Sequence, residues 1–411
     1  MKRGLALSAA VLAGFCSFCS GAGDSRTTFA RDALRKYADS GELPGAISVF
    51  YDNGEQETCV VGCADVKTRR PLTLDSLYMQ CSQTKGFCGV TVAKLVEENR
   101  IKLDDPVSKY LPEFKILWVQ TASSNGVRTL ERAKNVLTIR MCLNHTGGFG
   151  FDLPRYELMG GWSHRMPLRS VAVMAAQLPI EFEPGAKVRY SNVGIDIAAA
   201  VVEVVTGMRW EDFLKKTVLD PLGMTNSTFR PTDGQLAGKM ELYRVAGGNP
   251  AVWVACNAPM ALPYNDDRVF PSAGAGLWTT ANDQLKFYKM LMNLGVGENG
   301  VRVLREETVR NLLATSTRPA GIRNAQGVVD DQYSLGLWMR RGGPDDGWFG
   351  HGGAWHTTCS VNWKKRQLKL WAVQQLGDDR PWEKARDEAA EAFFRTGAGN
   401  GGTDAYTGRM D

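Results

Sequence analysis

Two short runs, GAISVFYD (45–52) and QETCVVGC (56–63), are rich in β-branched and aromatic residues and flank Asp52-Asn53-Gly54. That pattern predicts two strands joined by a tight turn. Just before them, RTTFARDALRKYAD (26–39) has the spacing of an amphipathic helix. SLYMQ (76–80) reads as a short third extended piece. From Ser82 to about Glu98 the period becomes helical, with Phe87, Val90, Val92, Leu95 and Val96 apolar on most faces. A helix of that kind belongs in an interior, and Asn99 can supply the left-handed residue that ends it.

The middle of the chain, about 100–230, reads mainly as helical patches between loops, among them 137–145, 168–178 and 192–207. A helix opened by the cap region Thr280-Ala281-Asn282-Asp283 follows, then another near 305–314. Strand-like runs return at 334–341, 356–363 and 368–375, and a last helix covers 382–395. The expected fold class is therefore α/β of the α+β type. An antiparallel sheet built from both chain ends is flanked by helices, and a mainly helical second lobe is inserted between them. We expect one domain over 23–396, with an α/β lobe at about 25–98 and 230–396 and a helical lobe at about 99–229. The ligand cleft is expected between the lobes.

Composition adds exclusions. The formal charge of +5 includes Lys2 and Arg3, and no dense basic run occurs, so nucleic acid is not an expected partner. Residues 1–22 have a charged start, an apolar stretch of about a dozen residues and a small-residue exit, the layout of a secretory signal. Secretion or a periplasmic location is expected. Lipid anchoring at Cys16 or Cys19 is the alternative, against which stand bulky Phe15 and Phe18. No later segment is long and apolar enough to span a membrane. After cleavage near Ser20-Gly21-Ala22, seven cysteines remain: Cys59, Cys63, Cys81, Cys88, Cys142, Cys256 and Cys359. On one strand Cys59 and Cys63 would lie about 13 Å apart, too far to bridge, so mostly buried thiols are expected. The tail from 397 to 411 lacks a core-forming pattern and is expected to be flexible.

Candidate chemistry begins with Ser82-Gln83-Thr84-Lys85. An S-x-x-K arises about once by chance in a chain of this length, so its setting must carry the argument. Both residues fall on the first turn of the predicted buried helix, on one face. The helix N-terminus favours negative charge developing at Ser82, and its unpaired N–H groups can face an oxyanion. Burial would lower the amine pKa of Lys85 and make it usable as a base. Two further features are Tyr190-x-Asn192 before a long apolar helix and His351-Gly352-Gly353 where an extended segment begins. Tyr51-Asp52-Asn53 matches the former as a turn decoy. GVGENG (295–300) follows a helix rather than a strand and reads as a loop. No G-x-S-x-G or H-E-x-x-H occurs. The four histidines, His145, His164, His351 and His356, lack metal-ligand spacing, so neither metal nor cofactor is expected.

In this order, Ser-x-x-Lys, Tyr-x-Asn and His-Gly-Gly resemble the penicillin-recognising serine hydrolases, above all the class C β-lactamase-like family with its D-alanyl peptidases, D-aminopeptidases and esterases. RIKLDDPVSKYLPEF (100–114), LTIRMCLNHTGGF (137–149), EPGAKVRYSN (183–192), DPLGMTNSTF (220–229) and SAGAGLWTTANDQLKF (272–287) agree with it along the chain. The resemblance implies an acyl-enzyme on Ser82. Lys85 and Tyr190 would share proton traffic, Asn192 would bind Lys85 or a substrate amide, and the N–H groups of Ser82 and Ala354 would form the oxyanion hole. A tyrosine starts near pKa 10, so an anionic Tyr190 at neutral pH needs cations beside it.

One departure matters. Where β-lactamases of this group carry Lys-Thr-Gly, this chain carries His351-Gly352-Gly353. A histidine is mostly neutral at pH 7, so recognition of penicillins and of C-terminal carboxylates should weaken. The expected function is a secreted serine esterase, amidase or D-amino-acid peptidase acting on a small-molecule or peptide-like substrate. The alternatives are a β-lactamase or D-alanyl-D-alanine carboxypeptidase or transpeptidase, and a non-catalytic sensor or scaffold. Loops at 119–135 and 156–166 would shape the substrate site, with Trp162, Trp278 and Trp355 either lining it or packing in the core.

Overall fold

The computed structural model describes residues 25–151, 166–245, 253–255, 270–376 and 382–395. The expected signal with Cys16 and Cys19, the loop at 156–165 with Trp162 and His164, Cys256 and the tail lie outside the described residues.

The hairpin foreseen at the N-terminus forms: Gly45–Asp52 pairs antiparallel with Glu55–Asp65, placing Ala46 opposite Val61. The other edge of Gly45–Asp52 takes Gln367–Ala372 from the far end of the chain, with Ile47 opposite Ala372. The sheet thus runs Trp338–Met339, Trp348–Gly353, Thr357–Asn362, Gln367–Ala372, Gly45–Asp52, Glu55–Asp65, Arg70–Pro71, seven strands with antiparallel neighbours. Gly45–Asp52 is buried on both faces, which is why its sequence is a run rather than an alternation. Ala46 and Phe50 face one apolar cluster, and Ile47 and Val49 face the other.

Terminal helices Ser25–Asp39 and Trp382–Arg395 cover the first face, where Phe50 stacks on Phe393 at 5.5 Å between centroids. Helices Thr84–Glu97 and Ala281–Met292 belong to the second cluster, where Phe87 stacks on Phe287. Such ring pairs add about 0.5–1.5 kcal/mol beyond the area they bury. Thr280 accepts from the Asp283 N–H and caps the latter helix, while Asn99, at φ 57°, ends the former. Helix Asn192–Thr206 starts at Ser191, whose side chain accepts from the Gly194 N–H, and stops at left-handed Gly207. No helix among the described residues is long and apolar enough to cross a membrane.

The structure departs from the expected pattern in four places. Residues 118–132, read as loop in a helical region, form an exposed hairpin of Trp118–Ser124 and Val127–Arg132. Its turn residues Asn125 and Gly126 both have positive φ, the conformation that Asn-Gly favours. His351-Gly352-Gly353 closes a strand instead of opening one. Ser82 lies on a 3₁₀ turn, Cys81–Gln83, ahead of the α-helix proper, because Cys81 has φ 50° and bends the chain there. Finally, only Trp338–Met339 of the run 334–341 is strand.

The residues before that short strand, Ser334 to Leu337, lie directly against the Thr84–Glu97 helix. A Cβ on Gly336, at φ 76°, would sit 2.2 Å from the Lys85 carbonyl oxygen, and one on Gly89 would sit 1.8 Å from that of Leu335. Backbone thus packs on backbone beside Lys85. We expect Gly89→Ala to destabilise the fold by about 3 kcal/mol, since neither partner is a side chain that can rotate away. A denaturant midpoint equal to that of the wild type would refute this close packing.

Candidate active site

Ser82 is 3% exposed, and its position is set from both sides. Thr84 Oγ1 donates to the Cys81 carbonyl at 2.6 Å and accepts from the Leu277 N–H at 3.2 Å. Behind it, Gln284 Nε2 donates to Gln80 Oε1 and Gln83 Oε1 at 3.0 and 2.9 Å, while Tyr78 donates to Gln284 Oε1 at 2.8 Å. These buried amides leave the 3₁₀ turn little freedom. The Cys81 thiol points inward, and burial pushes it up to about 12, so it is no competing nucleophile.

Lys85 is fully buried one turn on. Its Nζ lies 2.6 Å from Asn192 Oδ1, 2.7 Å from the Gly274 carbonyl oxygen and 3.1 Å from Ser82 Oγ. The contact with Lys85, one of the two the sequence allowed for Asn192, is present. Nζ also stands 4.6 Å from the Tyr190 ring centroid, a cation–π contact of about 0.5–2 kcal/mol. The carbonyl partner is held in turn by Asp196, four residues along the helix from Asn192. Asp196 Oδ1 accepts from the N–H groups of Ala273 and Gly274 at 2.8 and 3.3 Å and from Ser272 Oγ at 3.2 Å. One helix face therefore supplies Lys85 with both partners, one directly and one through a braced turn.

Tyr190 is half-buried, with its hydroxyl 3.4 Å from His351 Nε2. Phe151 stacks alongside its ring at 6.0 Å. His351 is 5% exposed, and both ring nitrogens are engaged: Nδ1 donates to the Gly352 carbonyl at 2.6 Å, and Nε2 also meets Tyr333 Oη at 3.2 Å. Burial, reinforced by the positive charge of Lys85, pushes His351 down to about 3. The residue expected to be mostly neutral at pH 7 is thus neutral well into the acid range.

Gly353 brings its strand end against the turn before Ser82, where a Cβ would lie 2.3 Å from the Gln80 carbonyl oxygen. Thr357 Oγ1 donates to that same oxygen at 3.3 Å. Ala354 follows at the surface, its N–H and that of Trp355 facing the Cys81 thiol. Ser82, Lys85, Tyr190, Asn192 and the His351–Ala354 segment, chosen from sequence, therefore meet in one place. Trp278 and Trp355 belong to the core, packed with Leu77, Met79, Cys81 and Leu242. Gly274, Asp196 and Tyr333 were not singled out, and His145 was weighed only as a metal ligand. Only His145 and Gly274 lay within segments that carried the resemblance. Among the described residues, no three His, Cys, Asp or Glu side chains converge as a metal site.

An antiparallel sheet joined by both chain ends and flanked by helices, with Ser-x-x-Lys at the head of a buried helix, is the β-lactamase and transpeptidase-like architecture of the penicillin-binding-like serine hydrolases. The chain belongs to the Beta-lactamase family, whose profile matches residues 30–392. Protein Rv1367c of Mycobacterium tuberculosis (strain ATCC 25618 / H37Rv) is 27% identical over 284 residues, 68% of this chain and 69% of the relative. Unliganded simvastatin synthase (LovD) from Aspergillus terreus superposes with a TM-score of 0.75 at 19% identity, covering 92% of this chain and 100% of its own. A family VIII carboxylesterase gives 0.70 at 23% identity, covering 92% and 99%.

Gly274 tests the geometry around Lys85, because a Cβ there would fall 2.7 Å from Asn192 Oδ1 and 2.9 Å from Asn192 Cβ. Gly274→Ala should displace Asn192 and lower kcat by about 100-fold, the cost of a misplacement near 1 Å, on whatever substrate the wild type turns over. Unchanged kcat would mean that Asn192 does not set the position of the amine.

Proposed function

We propose that this chain is a serine hydrolase that forms an acyl-enzyme on Ser82 and acts on uncharged esters in preference to β-lactams or peptides ending in a free carboxylate. The observation that carries the preference is His351, buried, with both nitrogens committed to protein partners. A fixed cation at that position would suit a substrate carboxylate, whereas an uncharged ring with no free donor offers it nothing. The N-terminal signal pattern adds an exported setting to this reading.

The mechanism follows from three directions around one nitrogen. As a neutral amine Lys85 has two N–H groups and one lone pair. Asn192 Oδ1 and the Gly274 carbonyl take the two N–H groups, so the lone pair faces Ser82 Oγ. Ser82 attacks the ester carbonyl carbon while its proton passes to Nζ, which becomes an ammonium with all three protons accepted. The Ser82 N–H holds the oxyanion, joined by the Ala354 N–H as it turns from the Cys81 thiol to the substrate oxygen. Collapse expels the alkoxide, which takes a proton relayed from Lys85 through Tyr190. Water, deprotonated by the same pair, then attacks the acyl carbon, and the pair returns that proton to Ser82 Oγ as the acyl–oxygen bond breaks.

A panel of p-nitrophenyl esters, D-amino-acid p-nitroanilides and nitrocefin, run on the wild type and Ser82→Ala, tests this reading. Ester turnover should exceed nitrocefin turnover, and Ser82→Ala should lose on the order of 10⁴-fold or more in kcat. A fluorophosphonate should mark Ser82 in intact-mass and peptide analysis. Nitrocefin turned over faster than every ester would replace the esterase with a β-lactamase. No adduct and no turnover would leave the non-catalytic sensor.

A further inference from the structure

Behind His351 lies a buried row of hydrogen bonds whose direction is set at both ends by backbone. The Ser191 N–H lies 3.3 Å from His145 Nδ1, and because it can only donate, that nitrogen is the acceptor. His145 Nε2 then carries the proton and donates to Tyr333 Oη at 3.0 Å. Tyr333 in turn donates to His351 Nε2 at 3.2 Å. At the far end the Gly352 carbonyl can only accept, which places the His351 proton on Nδ1. Both ends demand the same order of donors, so the row is self-consistent in one sense only.

We propose that Tyr333, braced by His145, is a positioning and specificity-determining residue: acting through His351, it keeps that ring an uncharged acceptor and so excludes substrates that need a cation beside Ser82. Protonating His351 Nε2 would turn an acceptor into a donor facing Tyr333, whose oxygen already accepts from His145. The hydroxyl would then have to accept from both rings and re-aim its own proton. The charges around the row act in the same sense. Arg318 lies 4.6 Å from the Tyr333 ring centroid, paired with Asp330, and Lys85 adds a positive charge beside His351 whenever its amine holds the third proton. Burial, reinforced by the Arg318 charge, holds His145 well below its ordinary value, so the donor row starts from a neutral ring. From the other elements around His351 come Tyr190, at 3.4 Å, and the uncharged Trp338 ring. Tyr190 and Tyr333 share one acceptor, so the donation from Tyr333 also leaves the Tyr190 proton less tightly held and available to Ser82 chemistry.

The inference builds on the reading of Ser82 as nucleophile, but its first test does not use turnover. In the ¹⁵N-histidine-labelled full chain, with His351 assigned by loss of its signals in His351→Asn, the wild type should carry the proton on Nδ1 and none on Nε2 from pH 8 to pH 5. In Tyr333→Phe the protonation midpoint of His351 should rise by about one unit or more. Between pH 8 and 5 that variant should also gain about 2-fold or more in kcat/KM for mono-p-nitrophenyl succinate relative to p-nitrophenyl butyrate, with no gain in the wild type. A proton on Nε2, a wild-type midpoint near 6.5, or an unshifted midpoint in Tyr333→Phe overturns the proposal. If Tyr333→Phe does not fold, the wild-type tautomer decides alone. A correct tautomer in a chain that hydrolyses neither ester would refute the hydrolase reading and leave the row intact.

Discussion

A lysine amine taken out of water has to find partners for its nitrogen, and Lys85 is fully buried. Much of the architecture around the site follows from that requirement. Asn192 and the Gly274 carbonyl supply two partners and Ser82 the third. A side chain such as Asn192 can be placed by its own rotamer, but a carbonyl has to be placed by folding its loop. Asp196 does this by gathering the N–H groups of residues 273 and 274, and the missing side chain at Gly274 lets the loop come within reach of Asn192. On the opposite side Gly336 and Gly89 allow the 334–337 turn to press on the helix backbone at Lys85. Desolvation of the amine thus requires the precise shell that holds it.

The same desolvation acts on the histidines next door with the opposite consequence. For Lys85 the burial cost is met by three oxygen partners that suit either protonation state. For His351 and His145 the surroundings are positive or neutral, so the rings stay uncharged. Under the proposed mechanism, a site with one movable proton on lysine and neutral rings around it would favour substrates whose charge appears only in the transition state. An ester fits that description better than a molecule carrying a permanent carboxylate.

The legible and illegible parts of this molecule divide along physical lines. Strand pairs at both chain ends, the buried Thr84–Glu97 helix and its Asn99 stop depend on local pattern, and the structure contains them. Ser82 and Lys85 could be found because three residues separate them on one turn; Tyr190, Asn192 and His351 could be placed beside them only by likeness to a known family. Gly274 contributes a backbone oxygen, which no residue type announces. Asp196 looks like a polar interruption in an apolar helix until the 272–274 turn is folded against it. Tyr333 is remote in sequence from His145, 188 residues away, so their contact belongs wholly to tertiary structure. The 118–132 hairpin was missed for a different reason: its Asn-Gly turn is a local signal, but exposed polar strands lack the apolar alternation that would have confirmed it.

Two non-glycine residues with left-handed backbone stand at the ends of this arrangement, Cys81 at φ 50° and His145 at φ 65°. Each costs about 1–3 kcal/mol and persists only where its surroundings over-determine it. At Cys81 the surroundings are the buried glutamines behind it and the Gly353–Thr357 turn in front. At His145 they are the Arg189 and Ser191 N–H groups, which donate to its carbonyl and ring respectively. One bend lifts Ser82 ahead of its helix, and the other turns an imidazole towards Tyr333. Because both are held by hydrogen bonds within the protein, they are in place before substrate arrives. Preorganisation of this kind would give the proposed nucleophile its position before a substrate carbonyl arrives.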